Sequence, residues 1–172
     1  MKSTHMNAPI FNVVEEKKEE GYGKFVIEPL EPGFGNTLGV ALRRLLLSNI
    51  EGAAITSVKI DNIRHMFATH PGLKEDIVEF ILNLKGVKVK LSDSKDEAVL
   101  SLHKKGPGAI IAKDIEVEDG VEIVNPDHYL GSLADGKSKV DAEMTVSKGL
   151  GYSLAEERKI STIGVIPIDA IF

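Results

Sequence analysis

The chain has 172 residues, of which 42% are apolar and 27% charged, the balance of a globular protein that buries one large core or two small ones. It contains no cysteine, which excludes disulfides and thiolate metal sites, and its formal net charge of −5 without a basic stripe argues against gripping nucleic acid through neutralised phosphates. No apolar run reaches the roughly 20 residues of a membrane-spanning helix, so the sequence reads as cytoplasmic, with no membrane partner.

Met1-Lys2-Ser3-Thr4-His5-Met6 reads as a cloning remnant ahead of a native start. Ile10, Phe11, Val13 and Val14 form a short apolar segment, and the mixed charges of residues 15–20 read as a solvated turn or frayed edge. Residues 24–29 are rich in β-formers and end at Pro29, so they predict a strand. The turn ending at Gly33 leads into Phe34-Gly35-Asn36-Thr37-Leu38, where Asn36 suits an N-cap and the helix is expected from Thr37. Glu51-Gly52 closes it, the glycine being expected in the left-handed conformation.

This first helix has two faces. Leu38, Ala41, Leu42, Leu45 and Asn49 fall at helical spacing, with Leu46 at the margin, and predict a core stripe. Val40, Arg44 and Leu47 follow the same spacing elsewhere, which sets a permanent cation between apolar residues. A solvated edge is the plain reading of an Arg43-Arg44 pair. Leucines all round it favour an interface instead, where arginine is enriched over lysine.

Further on, residues 54–61 read as a strand that is half-buried in its second half. Ile77, Phe80, Ile81 and Leu84 share one face of a second helix over residues 74–84, with Lys85 placed to meet the helix dipole and Gly86 closing the turn. Residues 87–91 and 98–102 alternate cleanly and predict a hairpin across the polar turn between them. From Gly106 on, short strands at 109–111, 121–124, 139–146 and within 163–172 are separated by Gly, Pro, Asn and Asp turns, so the second half is mostly β.

No set of residues supports catalysis. Gly33-Phe34-Gly35 with Gly39 fits neither a dinucleotide fingerprint nor a P-loop. His65, His70, His103 and His128 lack metal-ligand spacing, so neither a metal nor a cofactor is expected. Asp114, Glu116 and Glu118 alternate, but with Asp119 they read as a solvated strand edge rather than a two-metal site.

The stretch from Phe25 through Glu28-Pro29-Leu30-Glu31-Pro32-Gly33-Phe34-Gly35-Asn36-Thr37-Leu38 to Ala41-Leu42-Arg43-Arg44-Leu45-Leu46-Leu47-Ser48-Asn49 resembles the signature of the N-terminal domain of bacterial RNA polymerase α subunits. Similar segments recur at 54–67, 75–86, 119–126, 149–152 and 163–170. The resemblance implies an α+β fold in which an inserted, mostly β subdomain (residues 51–162) interrupts a discontinuous dimerisation subdomain (residues 7–50, with a return strand in 163–172). It implies a non-catalytic scaffold subunit that pairs with a second α chain and recruits the β and β′ subunits. By position, Arg43, Arg44, Leu47 and Lys85 match the surface used against the large subunits, and Phe34, Leu38, Leu42, Leu45 and Leu46 match the dimerisation helix. The family pattern continues past Phe172 with a strand and a long helix that complete that subdomain, so only part of it is expected here. The DNA-contacting C-terminal domain of the family is likewise not expected. Leu150 departs from the family, which has arginine in its Gly-Arg-Gly-Tyr turn. An interaction module of another assembly and a small phosphate-binding enzyme are the alternatives.

Overall fold

The structure is a computed structural model that describes residues 11–19, 21–158 and 162–172. Residues 1–6, Ile10 and Glu20 of the readings above lie outside them. The fold is mixed α+β and divides into two compact units, residues 1–46 and 47–172.

The first unit starts with strands β1 (Asn12–Glu19) and β2 (Tyr22–Glu28), paired antiparallel around Gly21, whose φ of +74° suits the tight reversal. The charge run expected as a turn is therefore strand. Its alternating signs are met by ion pairs, Lys24–Glu16 at 2.5 Å and Lys17–Glu19 at 2.7 Å, so an all-exposed ladder tolerates it. Helix α1 (Phe34–Ser48) begins earlier than Thr37. Gly33, at φ +85°, turns the chain, and the Phe34 amide donates to the Glu31 carbonyl at 3.0 Å, which places Asn36 inside the helix rather than at its cap.

The second unit is built on a seven-stranded antiparallel sheet. Its strands are β3 (Glu51–Ile60), β4 (Val89–Leu91), β5 (Glu97–Lys105), β7 (Ile115–Glu116), β8 (Val121–Ile123), β10 (Lys139–Leu150) and β12 (Val165–Pro167), in the order β7-β5-β10-β3-β4-β8 with β12 also on β3. Two small ribbons join β6 (Gly108–Ile111) to β9 (Tyr129–Leu133) and β11 (Tyr152–Ser153) to β13 (Ala170–Ile171). The hairpin expected between 87–91 and 98–102 does not form. β4 pairs with β3 and β8, whereas β5 lies between β10 and β7. Alternation identified both segments as strands, but strand partners are chosen by long-range burial, which local alternation does not encode.

Ile55, Thr56, Ser57 and Val58 of β3 are buried in succession, so the middle of this strand is covered on both faces, while Val58 and Ile60 buried around exposed Lys59 give the expected alternation at its end. Helix α2 (Ile77–Lys85) buries the four residues its spacing predicted, Ile77, Phe80, Ile81 and Leu84, against β3 and β9. Asp76 caps it by accepting the Glu79 amide at 2.7 Å. Gly86 sits at φ −80°, not left-handed. A Cβ there would lie 2.5 Å from His128 Nε2, so the glycine serves close approach. Gly52 is likewise no helix cap. It lies in β3 opposite Gly149 of β10, and added Cβ atoms would meet the Phe172 backbone at 2.7 Å and its ring at 2.6 Å respectively.

Strand β9, absent from the sequence expectations, is held by Glu75. That carboxylate accepts the Ser132 amide at 2.6 Å and the Tyr129 hydroxyl. Partial burial pushes its pKa up, but the bonds from Tyr129 and Ser132 outweigh it and leave the value below the ordinary 4.5. A carboxylate lowered on folding stabilises above its unfolded value and loses that contribution as pH falls through the folded one. Glu75→Gln is expected to lower the urea midpoint at pH 7, with the gap from wild type closing as the solution is acidified below 4.5.

Candidate functional site

Helix α1 is the most apolar exposed element. None of its residues is buried, although Leu38, Ala41, Leu42 and Leu45 share a face at the spacing of a core stripe. Leu38 is half-buried, and Phe34, Leu42, Leu45 and Leu46 remain exposed. The expectation of a core stripe is corrected. The first unit contains no buried side chain among the described residues, because one helix and one two-stranded ribbon offer too little surface to cover that stripe. On the other face, Val40 is 66% and Leu47 75% accessible, with exposed Arg44 between them and Arg43 beside it. Apolar residues without cover therefore run along both faces of α1.

Lys85, at the C-terminal end of α2, reaches Asp169 Oδ2 at 3.4 Å. The carboxylate also accepts the Ala155 amide at 2.8 Å, and that bond, with Lys85, holds its pKa below the ordinary carboxylate value against the opposing effect of burial. Arg158 Nη2 donates to the Ile168 carbonyl. These bonds tie the end of α2 to the chain on either side of Asp169. Beside them runs a shallow groove lined by Met66, Ile81, Leu82, Pro167 and Ile168, with Lys85 and Asp169 at its rim. Leu82 is exposed there, and Phe67, next to Met66, is 80% accessible.

Sequence reasoning located Lys85 but not its partner. Asp169 lies 84 residues away, and no spacing links them. Met66 and Leu82 were also missed, because Met66 lies in an irregular turn without periodicity and Leu82 falls off the periodic apolar face of α2.

The residues singled out as candidates for chemistry are engaged otherwise among the described residues. Gly35 lies in the first turn of α1, not in a phosphate loop. Asp114 and Glu118 are engaged by Lys104 at 2.6 Å and Lys95 at 2.8 Å, and the described residues contain no group of three or more potential metal ligands. No described helix is long and apolar enough to cross a membrane.

Removing the Asp169 charge tests the tie at the end of α2. Asp169→Ala leaves the Ala155 amide and Lys85 without their acceptor and is expected to cost about 1 kcal/mol in urea unfolding.

Residues 58–172 match the family described as the RNA polymerase Rpb3/RpoA insert domain. The chain is 51% identical over 153 residues to the DNA-directed RNA polymerase subunit alpha of a Roseiflexus species, covering 89% of this chain and 47% of that protein. It is 47% identical over 169 residues to the subunit of Alkaliphilus metalliredigens, covering 97% of this chain and 53% of the relative. With the Herpetosiphon aurantiacus subunit it shares 50% identity over 153 residues, 89% of this chain and 46% of the relative. The chain spans about half the length of the curated relatives it matches. On the strength of these matches and of the mixed α+β fold described above, the chain belongs to the RNA polymerase Rpb3/RpoA insert-domain family and is homologous to bacterial RNA polymerase alpha subunits.

Proposed function

We propose that the chain acts as an assembly platform for DNA-directed RNA polymerase, with no catalytic residues, metal or cofactor of its own. The observation that carries this reading is α1, a helix of 15 residues with leucines on both faces and none buried. A monomer gains nothing from holding that surface in water, at roughly 25 cal/mol for each Å² of apolar area left uncovered. A partner removes it.

In this reading residues 7–50, with the return strand in 163–172, belong to a dimerisation subdomain, and 51–162 form the insert. The stripe Phe34, Leu38, Leu42, Leu45 and Leu46 packs against a second α chain. The face carrying Arg43, Arg44 and Leu47 meets one large subunit, β or β′. Lys85 and the groove beside it meet the large subunits through the second unit. Arginine flanked by leucines suits such a contact, since its fork bonds carboxylates bidentately while weak hydration keeps desolvation affordable. Cytoplasmic residence and the absence of direct DNA contact follow from that role, and the net charge of −5 supports the latter.

The test is reconstitution with β and β′, read by light scattering coupled to size exclusion. Wild type is expected to run as a dimer that gains mass with β. Arg44→Ala is expected to remain folded, with a cooperative thermal transition, yet capture β about tenfold more weakly, the loss typical of an interface arginine. Leu38→Asp is expected to shift the dimer to monomer. A wild-type monomer that ignores both large subunits overturns the platform reading.

A further inference from the structure

The outward face of the β5–β10 pair ends in two lysines placed directly opposite one another, Lys105 and Lys139. Opposed residues of an antiparallel pair lie on the same face, where like charges repel. The next rung pairs His103 with Asp141, Nδ1 to Oδ1 at 2.9 Å, and Lys139 Nζ reaches Oδ2 of the same carboxylate at 2.9 Å. One carboxylate thus serves two basic groups. Exposed Lys105 has no ion pair among the described residues.

The rest of the protein resolves the same problem differently. Lys17 and Lys24 are also opposed, on β1 and β2, but each has its own carboxylate, Glu19 at 2.7 Å and Glu16 at 2.5 Å. Lys104 has Asp114 at 2.6 Å and Lys59 has Glu143 at 3.7 Å. At the Lys105–Lys139 rung the one carboxylate in hydrogen-bond contact, Asp141, is shared with His103, and Asp61 adds a more distant negative charge. The rung is also framed: the Gly106 amide donates to the Ser138 carbonyl at 3.0 Å beside it, and exposed Lys137 lies in the preceding turn, which the Ser138 amide closes by donating to the Asp135 carbonyl at 3.3 Å. An open cavity at this end of the sheet is lined by His103, Lys104, Lys105, Lys139 and Asp141.

We propose that this cavity is a docking site for an acidic segment of a partner protein, with one Asp or Glu side chain of that segment seated between Lys105 and Lys139. The size of the basic region selects a peptide acid over nucleic acid. One rung beyond Asp141 the same face carries Glu143 and Glu116 on either side of Ser101, so the basic patch is too short for a continuous run of phosphates, whereas an extended peptide can seat a single acidic side chain in it. The site shares no residue with α1 or with the groove beside Lys85, so it stands whether or not the platform reading does.

The whole chain is titrated at low ionic strength into a fluorescein-labelled tetraglutamate peptide and read by anisotropy. Lys105→Glu and Lys139→Glu are each expected to raise Kd by about fivefold, the scale of one lost exposed ion pair, while Lys90→Glu on β4 leaves it unchanged. No binding by wild type, an equal loss in Lys90→Glu, or equal affinity for a single-stranded RNA of matching charge overturns the proposal. Thermal unfolding gives an independent readout. Lys105→Glu replaces the repulsion with an attraction across the strands and is expected to raise Tm; an unchanged or lower Tm shows that the lysine pair carries no cost and removes the basis of the inference.

Discussion

The packing of the apolar face of α2 onto β3 and β9 is the contact on which the second unit depends. Ile77, Phe80, Ile81 and Leu84 are almost wholly withdrawn from water, each worth roughly 1.5–3 kcal/mol on burial. The helix is further tied to β9, since the Asn83 side-chain amide donates to the Leu130 carbonyl at 3.0 Å and Glu75 accepts from Tyr129 and Ser132. With α2 fixed at both ends, the position of Lys85 is a property of the core. The groove beside it inherits that rigidity, because Ile81 contributes to both.

Helix α1 is the opposite case. Its residues have the same periodicity and more leucine than α2, yet the structure leaves them in contact with solvent. Periodicity reports that a face must be covered, and it is silent on whether the cover is part of the same chain. Amphipathic helices of this kind are where folding and assembly share one driving force, so the same leucines serve whichever partner arrives.

This distinction explains what was legible in the sequence. The α2 face was read residue by residue, and strands β2, β3, β6, β8 and β10 fell near their expected segments, because each carries its own apolar pattern. The apolar residues of α1 were picked out by composition and spacing, although their burial was misjudged. Pairing was not legible. β4 and β5 are near in sequence and alternate alike, but β10 claims β5 along its whole length, and that choice depends on Ala142, Met144 and Val146 fitting opposite Leu102, Leu100 and Ala98. β9 was hidden by Gly131 and Ser132, residues that read as turn. Gly131 is there because Glu75, Leu73 and Phe80 crowd it, at 3.1–3.3 Å from where a Cβ would stand. Gly86 and Gly52 show the same limit, since a glycine required by a neighbour 40 or more residues away looks no different in the sequence from one required by a turn.

The Gly52–Gly149 pair makes a notch in the sheet surface, and Phe172 fills it with its backbone over one strand and its ring over the other. The Phe172 amide donates to the Gly151 carbonyl at 2.9 Å and fixes the residue lengthwise. Three positions far apart in the chain therefore share one volume, and none can change alone without displacing another. Sequence drift at these positions is coupled: a side chain acquired at 149 calls for a smaller residue at 172, whereas one acquired at 52 meets the backbone of 172 and is relieved by no change of side chain there.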